Sequence, residues 1–252
     1  MLRIPEPPFA YYRVRGADRI EWLQGQLTQN IPAIAVGEWK RAAVLSATGQ
    51  LLADGAAWVL EGDVILGLDR LAAGVAELLA SRIIMEDVSL EPITETVQSV
   101  VGEVISNALE LPIDHVGRPG YDLMGADLVS AEPLDYEVAR VEAAVPLAGI
   151  DYDGKTLAME MGPHFVATRI AFEKGCYTGQ EIVERIRSRG RTNRQWVGLR
   201  SGEPITDSPE AKITSRAISP RFGHIALAFV RKELAAPGTL IGSASVVPLP
   251  FA

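Results

Sequence analysis

The stretch from Arg41 to Leu68, RAAVLSATGQLLADGAAWVLEGDVILGL, constrains the fold more than any other part of the chain. It consists of short apolar runs split by TG, DG and EGD, which are hairpin signals, and none of the runs is long enough to form a helix of ordinary length. It therefore predicts an antiparallel meander. Helical periodicity flanks it on both sides. In Gly16–Ile31, Ile20, Leu23 and Leu27 share one face, Asp18 is placed as N-cap, and Pro32 stops the helix. In Leu71–Ile84 the pattern runs through Leu71, Val75, Leu78 and Leu79.

Prolines then recur at 92, 112, 119 and 133, between apolar runs such as SVVGEVI, and predict a smaller mixed subdomain at about 91–137. Leu134–Ile150 is again helical up to Pro146. After Gly190 the segments QWVGLR, AKITSRAIS, HIALAFVR and ASVVPL fall between turn signals, the pattern of a small all-β barrel. The expected class is α+β, with a region over 1–190 and a C-terminal barrel over 191–252.

The composition suits a soluble globular protein, with 48% hydrophobic and 22% charged residues. The N-terminal MLRIPEPPFA has no apolar run suited to a signal peptide. Pro237, Pro248 and Pro250 break the uncharged C-terminal stretch, so no membrane span is expected. With one cysteine no intramolecular disulfide can form, and the cytoplasm is the expected compartment. The three histidines and the cysteine lie far apart, without the paired spacing of a zinc site.

Three stretches carry candidate chemistry. GIDYDGKT (149–156) fits the phosphate-loop expression G-x-x-x-x-G-K-[ST] in full. Asp151 and Asp153, however, put negative charge inside the loop, and a helical pattern precedes it where the motif needs a strand. It is read as a decoy. In ERIRSRGRTNR (184–194), five arginines stand against one glutamate. This is either a solvated helix end or an anion site, and Arg187, Arg189 and Arg191 are its RNA-binding candidates. The net charge of −8 weighs against general nucleic-acid binding, so only this local stretch could form an RNA-binding module.

KGCYTGQE (174–181) holds the only cysteine. Thr178 and Glu181 have the spacing of a capping box, which makes Thr178 the expected N-cap. Cys176 then lies near a helix N-terminus and beside Lys174, and both favour a thiolate. The competing reading is an inert packed thiol. The glycine-flanked loop favours a working thiol, with Lys174 as its partner.

This octapeptide, followed by Arg185, resembles the signature K-G-C-Y-x-G-Q-E of the YgfZ family, relatives of the folate-binding T-protein of the glycine cleavage system. The segments WLQGQLTQNI, GQLLAD, VEAAVPLAGID and KITSRAISPRFGHIALAFVR are similar to other parts of that family's pattern, so the resemblance spans nearly the whole chain. It implies a T-protein-like multi-domain ring around a central funnel that holds tetrahydrofolate, with Cys176 facing that cavity. It also implies Glu142 as the pterin contact, with Asp54, Tyr177, Gln180 and Arg185 as further folate-binding candidates. The implied role is support of iron–sulfur enzymes or their assembly factors, with an indirect effect on tRNA modification. The enzymatic alternative is a folate-dependent aminomethyltransferase or another one-carbon transfer enzyme. Two positions depart from the pattern. Ala144 stands where the family has glycine, a change expected to narrow the backbone approach near the pterin. Ala53-Asp54 replaces the acidic pair of T-proteins, leaving one acid for proton transfer.

Overall fold

The computed structural model describes residues 1–103, 106–125, 130–190 and 192–251. Val104 and Ile105 of SVVGEVI, and Arg191 of the basic stretch, lie outside the described residues. The chain begins with β1 (Leu2–Arg3), β2 (Phe9–Arg15), α1 (Arg19–Gln26), β3 (Trp39–Leu45), β4 (Leu51–Val59) and β5 (Val64–Asp69). There follow α2 (Val75–Ala80), β6 (Ser89–Pro92), β7 (Val97–Val101), β8 (Leu109–Asp114), β9 (Pro119–Met124) and β10 (Glu132–Pro133). Three helices come next, α3 (Tyr136–Glu142), α4 (Gly162–Arg169) and α5 (Gln180–Arg189). The last strands are β11 (Arg194–Ser201), β12 (Ala211–Ser219), β13 (Gly223–Arg231), β14 (Leu240–Ile241) and β15 (Ala244–Val247). No helix among the described residues is long and apolar enough to cross a membrane.

Three five-stranded sheets result, in the orders β3-β4-β5-β2-β6, β10-β1-β7-β9-β8 and β12-β13-β11-β15-β14. The first contains the expected meander, with β4 antiparallel to both β3 and β5. Its β4 is buried on both faces. Ala53, Ala57 and Val59 pack with α1 and α2 residues such as Leu23 and Leu79, while Ala56 and Trp58 meet Leu111 and Ile113 of the second sheet. This explains why the run is almost continuously apolar and rich in alanine. The DG signal at Asp54-Gly55 is not a turn, because both residues lie inside β4. A Cβ on Gly55 would sit 2.3 Å from the Gly67 carbonyl oxygen, so the glycine serves close strand packing.

The C-terminal region is all-β, but it does not close into the expected barrel. Its sheet is open, with β12 and β14 at the two edges. Strand β14 is only two residues long, too short to complete a ladder, and α3 packs against β12 at the other edge. Covering the edge with a helix replaces closure. The helix expected over 71–84 is also shorter, since Gly74 adopts a left-handed conformation and α2 starts only at Val75.

The phosphate-loop expression folds as a tight turn. Asp153 Oδ1 accepts from the Lys155 amide and the Thr156 hydroxyl, each at 3.0 Å. Asp151 is buried, accepting from Arg140 Nη1 at 2.9 Å, Thr214 at 2.6 Å and Ser215 at 2.8 Å. Of the aspartates that argue against a triphosphate, Asp151 thus ties α3 to β12, and Asp153 holds the turn itself.

Helix α3 ends in a Schellman motif. The Val145 amide reaches the Arg140 carbonyl at 2.9 Å and the Ala144 amide reaches that of Val141 at 3.1 Å. Ala144 holds the left-handed position, with φ of 55°. A glycine at this position is explained by the helix stop itself, without any ligand approach. We expect Ala144→Gly to leave stability within about 1 kcal/mol of the parent. Relief of about 1–2 kcal/mol of left-handed strain offsets the lost buried methyl and the freer unfolded chain. Ala57→Gly, in regular β4, has no strain to relieve and should cost about 1.5 kcal/mol. Urea melts of the two variants compare them directly, and equal losses would mean that Ala144 is unstrained.

Candidate functional site

The thiol lies in the loop between α4 and α5, and Cys176 is exposed. The loop is anchored on both sides of it. The Thr178 amide donates to the Gly25 carbonyl at 3.1 Å, and Tyr177 is buried beneath. Lys174 does not serve the thiol as the sequence suggested. Its Nζ donates to the carbonyls of Gln24 (2.8 Å), Leu27 (2.6 Å) and Gln29 (2.7 Å), and lies 4.9 Å from the Tyr177 ring centre. It therefore satisfies carbonyls that end α1, as a cation at a helix C-terminus does. Burial pushes its amine down to about 8, while the three carbonyls favour the charged form.

The N-cap expected at Thr178 is displaced by one residue. Gly179 caps α5 with φ of 87°, and no side chain caps it. A Cβ there would come within 2.5 Å of the Ser46 carbonyl oxygen, so glycine is required on both counts. The backbone approach between this loop and the β3–β4 turn overrides the capping-box spacing. Cys176 still precedes the N-terminus of a ten-residue helix.

A separate cavity lies where β3, the end of β8, the C-terminal end of α3, α4 and the C-terminal tail meet. It is open to the centres of water molecules over about 200 Å³, and Trp39, Arg41, Asp114, His164, Thr168 and Arg169 are among its walls. Arg169, on α4, donates Nε and Nη2 to Asp54 Oδ1 and Oδ2 at 3.0 and 3.2 Å. Both partners are buried. Arg41 is buried beside them, its Nη2 bonded to the Asp114 carbonyl and its guanidinium 5.3 Å from the Phe9 ring centre. Its Nη1 is buried without a hydrogen-bond partner and stands 4.0 Å from Asp54. His164 is pushed down by burial and by Arg169, so its imidazole is neutral at pH 7.

A smaller pocket adjoins this one, sharing Arg41 and Val145 with it and adding Asp54, Asp69, His115 and Tyr136. Burial pushes the Asp69 carboxyl up, although it accepts from the Ala148 amide at 2.7 Å and the Tyr152 hydroxyl at 3.0 Å. The Tyr136 hydroxyl is buried without a partner, and burial pushes it up to about 12. The site thus offers two buried guanidinium groups, one with a free donor, beside an indole and a neutral imidazole. Such a set has the donors and the aromatic face that suit a flat molecule carrying acceptors or a negative charge. Asp54 is held by two donors of Arg169 and is not a free general base.

Of the residues expected to contact folate, Asp54 borders the smaller pocket. Tyr177, Gln180 and Arg185 belong to the thiol loop and α5, apart from the walls just described. Cys176 is exposed but does not line either cavity. Glu142 ends α3 with its carboxylate towards β12, where it accepts from Ser219 and lies 3.8 Å from Arg221. Sequence reasoning missed Trp39, Arg41, His164 and Arg169. The one readable signal was Phe165 and Arg169 at i, i+4, a charge on the inner face of an amphipathic helix.

No protein-family model matches the chain. An uncharacterized protein of Haemophilus influenzae is 24% identical over 202 residues, 72% of this chain and 67% of that protein. The crystal structure of glycine cleavage system aminomethyltransferase T from Bartonella henselae superposes with a TM-score of 0.81. That likeness covers 100% of this chain and 85% of that one at 17% identity. The fold is therefore that of the T-protein.

If Lys174 is the clamp on α1, Lys174→Met should destabilise the protein by about 2–4 kcal/mol, because three carbonyls lose their donor. Cys176→Ser should stay within about 0.5 kcal/mol, as expected of an exposed side chain. Thermal melts test both, and iodoacetamide should alkylate Cys176 in the native protein. A thiol that reacts only after denaturation would contradict its exposure.

Proposed function

We propose that the protein binds tetrahydrofolate in the cavity beside Arg41 and supports iron–sulfur enzymes or their assembly factors through Cys176. The observation that carries the folate half is the buried, unpartnered Nη1 of Arg41 in a T-protein fold. A buried donor without an acceptor is costly, and a folate carbonyl or carboxylate would satisfy it. Trp39 supplies an aromatic wall for a flat heterocycle, and His164 offers one donor and one acceptor in its neutral form. In this reading the three sheets are arranged as a ring around a central funnel, residues 1–190 form the folate-binding region, and 191–252 form a separate C-terminal domain. Glu142 could reach a pterin only by leaving Ser219.

Aminomethyl transfer is less well supported. It needs a positioned acid–base group. Ala53 removes one acid of the pair, and Arg169 holds the other in a two-point ion pair. The cavity retains the means to bind while the means to move a proton is tied up. The exposed thiol is the group left for chemistry, as a thiolate ligand or nucleophile. This supports a maintenance role and, through clients, an indirect effect on tRNA modification.

Titrating the full chain with tetrahydrofolate should quench Trp39. Trp39→Phe should remove most of that signal while calorimetry still detects binding. Arg41→Met should weaken binding by about 1.5–3 kcal/mol, the range for a hydrogen bond to a charged group. Absence of binding at millimolar tetrahydrofolate would sink the folate reading. Cys176→Ser should bind folate normally yet fail to restore iron–sulfur enzyme activity in cells lacking the protein. Full complementation by the serine variant would remove the thiol from the mechanism.

A further inference from the structure

Helix α5 forms one wall of an open groove of about 780 Å³, lined by Thr48, Leu157, Ile182, Arg185, Ile186 and Arg189. Its sides are fixed by close packing, since a Cβ on Gly49 of the β3–β4 turn would meet Ile182 at 2.9 Å. The floor is aliphatic, with Ile182 and Ile186 one helical turn apart. The two arginines repeat the same i, i+4 spacing beside them, so two like charges face each other along the helix.

Local charges leave these two arginines alone. Glu184 lies 3.5 Å from Arg187, whose guanidinium stacks 4.3 Å from the Phe172 ring centre. Glu160, beside Leu157, is taken up by Arg194 at 3.0 Å and by the Leu157 amide at 3.2 Å. Among the described residues the side chains of Arg185 and Arg189 have no carboxylate partner. A helix C-terminus accounts for a cation at Arg189 but not for Arg185 in the middle of α5 or for the aliphatic floor.

We propose that this groove docks an acidic segment of a partner protein, whose aliphatic side chains lie on Ile182, Ile186 and Leu157 while its carboxylates pair with Arg185 and Arg189. Charge complementarity selects an acidic occupant. The floor distinguishes protein from RNA, because single-stranded RNA is held by stacking on aromatic side chains and the groove walls contain none. Bidentate pairing suits arginine rather than lysine, in keeping with the residue type at both positions. A segment seated here lies alongside the helix that begins just after the thiol loop, and α5 is only about 15 Å long. Docking therefore places the partner close to Cys176.

The test uses the full chain and two fluorescent probes, a synthetic peptide of glutamate pairs alternating with leucines and an oligouridylate of matched length. Wild-type protein should bind the peptide, with affinity falling as salt rises. The double variant Arg185→Gln, Arg189→Gln should lose at least tenfold in peptide affinity with its melting temperature unchanged. Ile186→Ser, which leaves both charges, should weaken the peptide and not the oligonucleotide. Tighter binding of the oligouridylate than of the peptide, or equal peptide affinity in wild type and double variant, would overturn the proposal. So would concentration-dependent dimerisation of the wild type abolished by the double variant, which would make a second copy the occupant.

Discussion

The buried pair between Arg169 and Asp54 ties the two halves of the cavity together. Asp54 sits in β4, between β3 and β5 of the first sheet, and Arg169 ends α4, which packs towards the C-terminal sheet through Phe165 and Trp196. Removing either partner would strand a charge in an apolar setting, a loss of about 3–5 kcal/mol. Two-point geometry sets the separation and angle of helix and sheet, and Arg41 and His164 take their places around it. A second buried pair, Arg140 with Asp151, fixes α3 to β12 in the same manner. Of the two pairs, the one beside the cavity joins residues 115 positions apart, whereas Arg140 and Asp151 are only 11 apart.

The thiol loop follows a different logic. Everything around Cys176 is tied down except the thiol. Lys174 clamps the end of α1, Tyr177 is buried below it, and Gly179 allows the backbone to touch the β3–β4 turn. A side chain exposed on a rigid loop keeps its position without contributing to folding. Lys174 and Gly179 therefore have architectural reasons to be present, independent of any chemistry at sulfur. They hold the loop, and the exposed cysteine side chain takes no part in that.

Local order was legible where one rule acted alone. The meander, α1, α3 and the strands after Gly190 follow from periodicity and turn residues. Errors arose where long-range packing competed with a local signal. Asp54-Gly55 reads as a turn, yet Gly55 is glycine because Gly67 of the neighbouring strand approaches it. Thr178 reads as an N-cap, yet Gly179 takes that place because Ser46 lies against it. The barrel reading found four of the five strands, missing the two-residue β14, and could not foresee that α3 would cover the edge of β12. Most of the cavity was illegible for the same reason, since Asp54 and Arg169 are 115 residues apart.

The same separation bears on what the pair between Arg169 and Asp54 does in the fold. An arginine fork on both oxygens fixes a carboxylate in position and orientation. Arg169 therefore makes Asp54 a strut between α4 and the sheet that carries it. The neighbouring Arg41 keeps a buried donor without a hydrogen-bond partner, which suits an acceptor-bearing ligand. Cys176 is exposed on the loop that leaves α4 a few residues after Arg169. The cavity end of α4 and the thiol thus share one short segment, anchored at Arg169 by Asp54 and at Lys174 by α1.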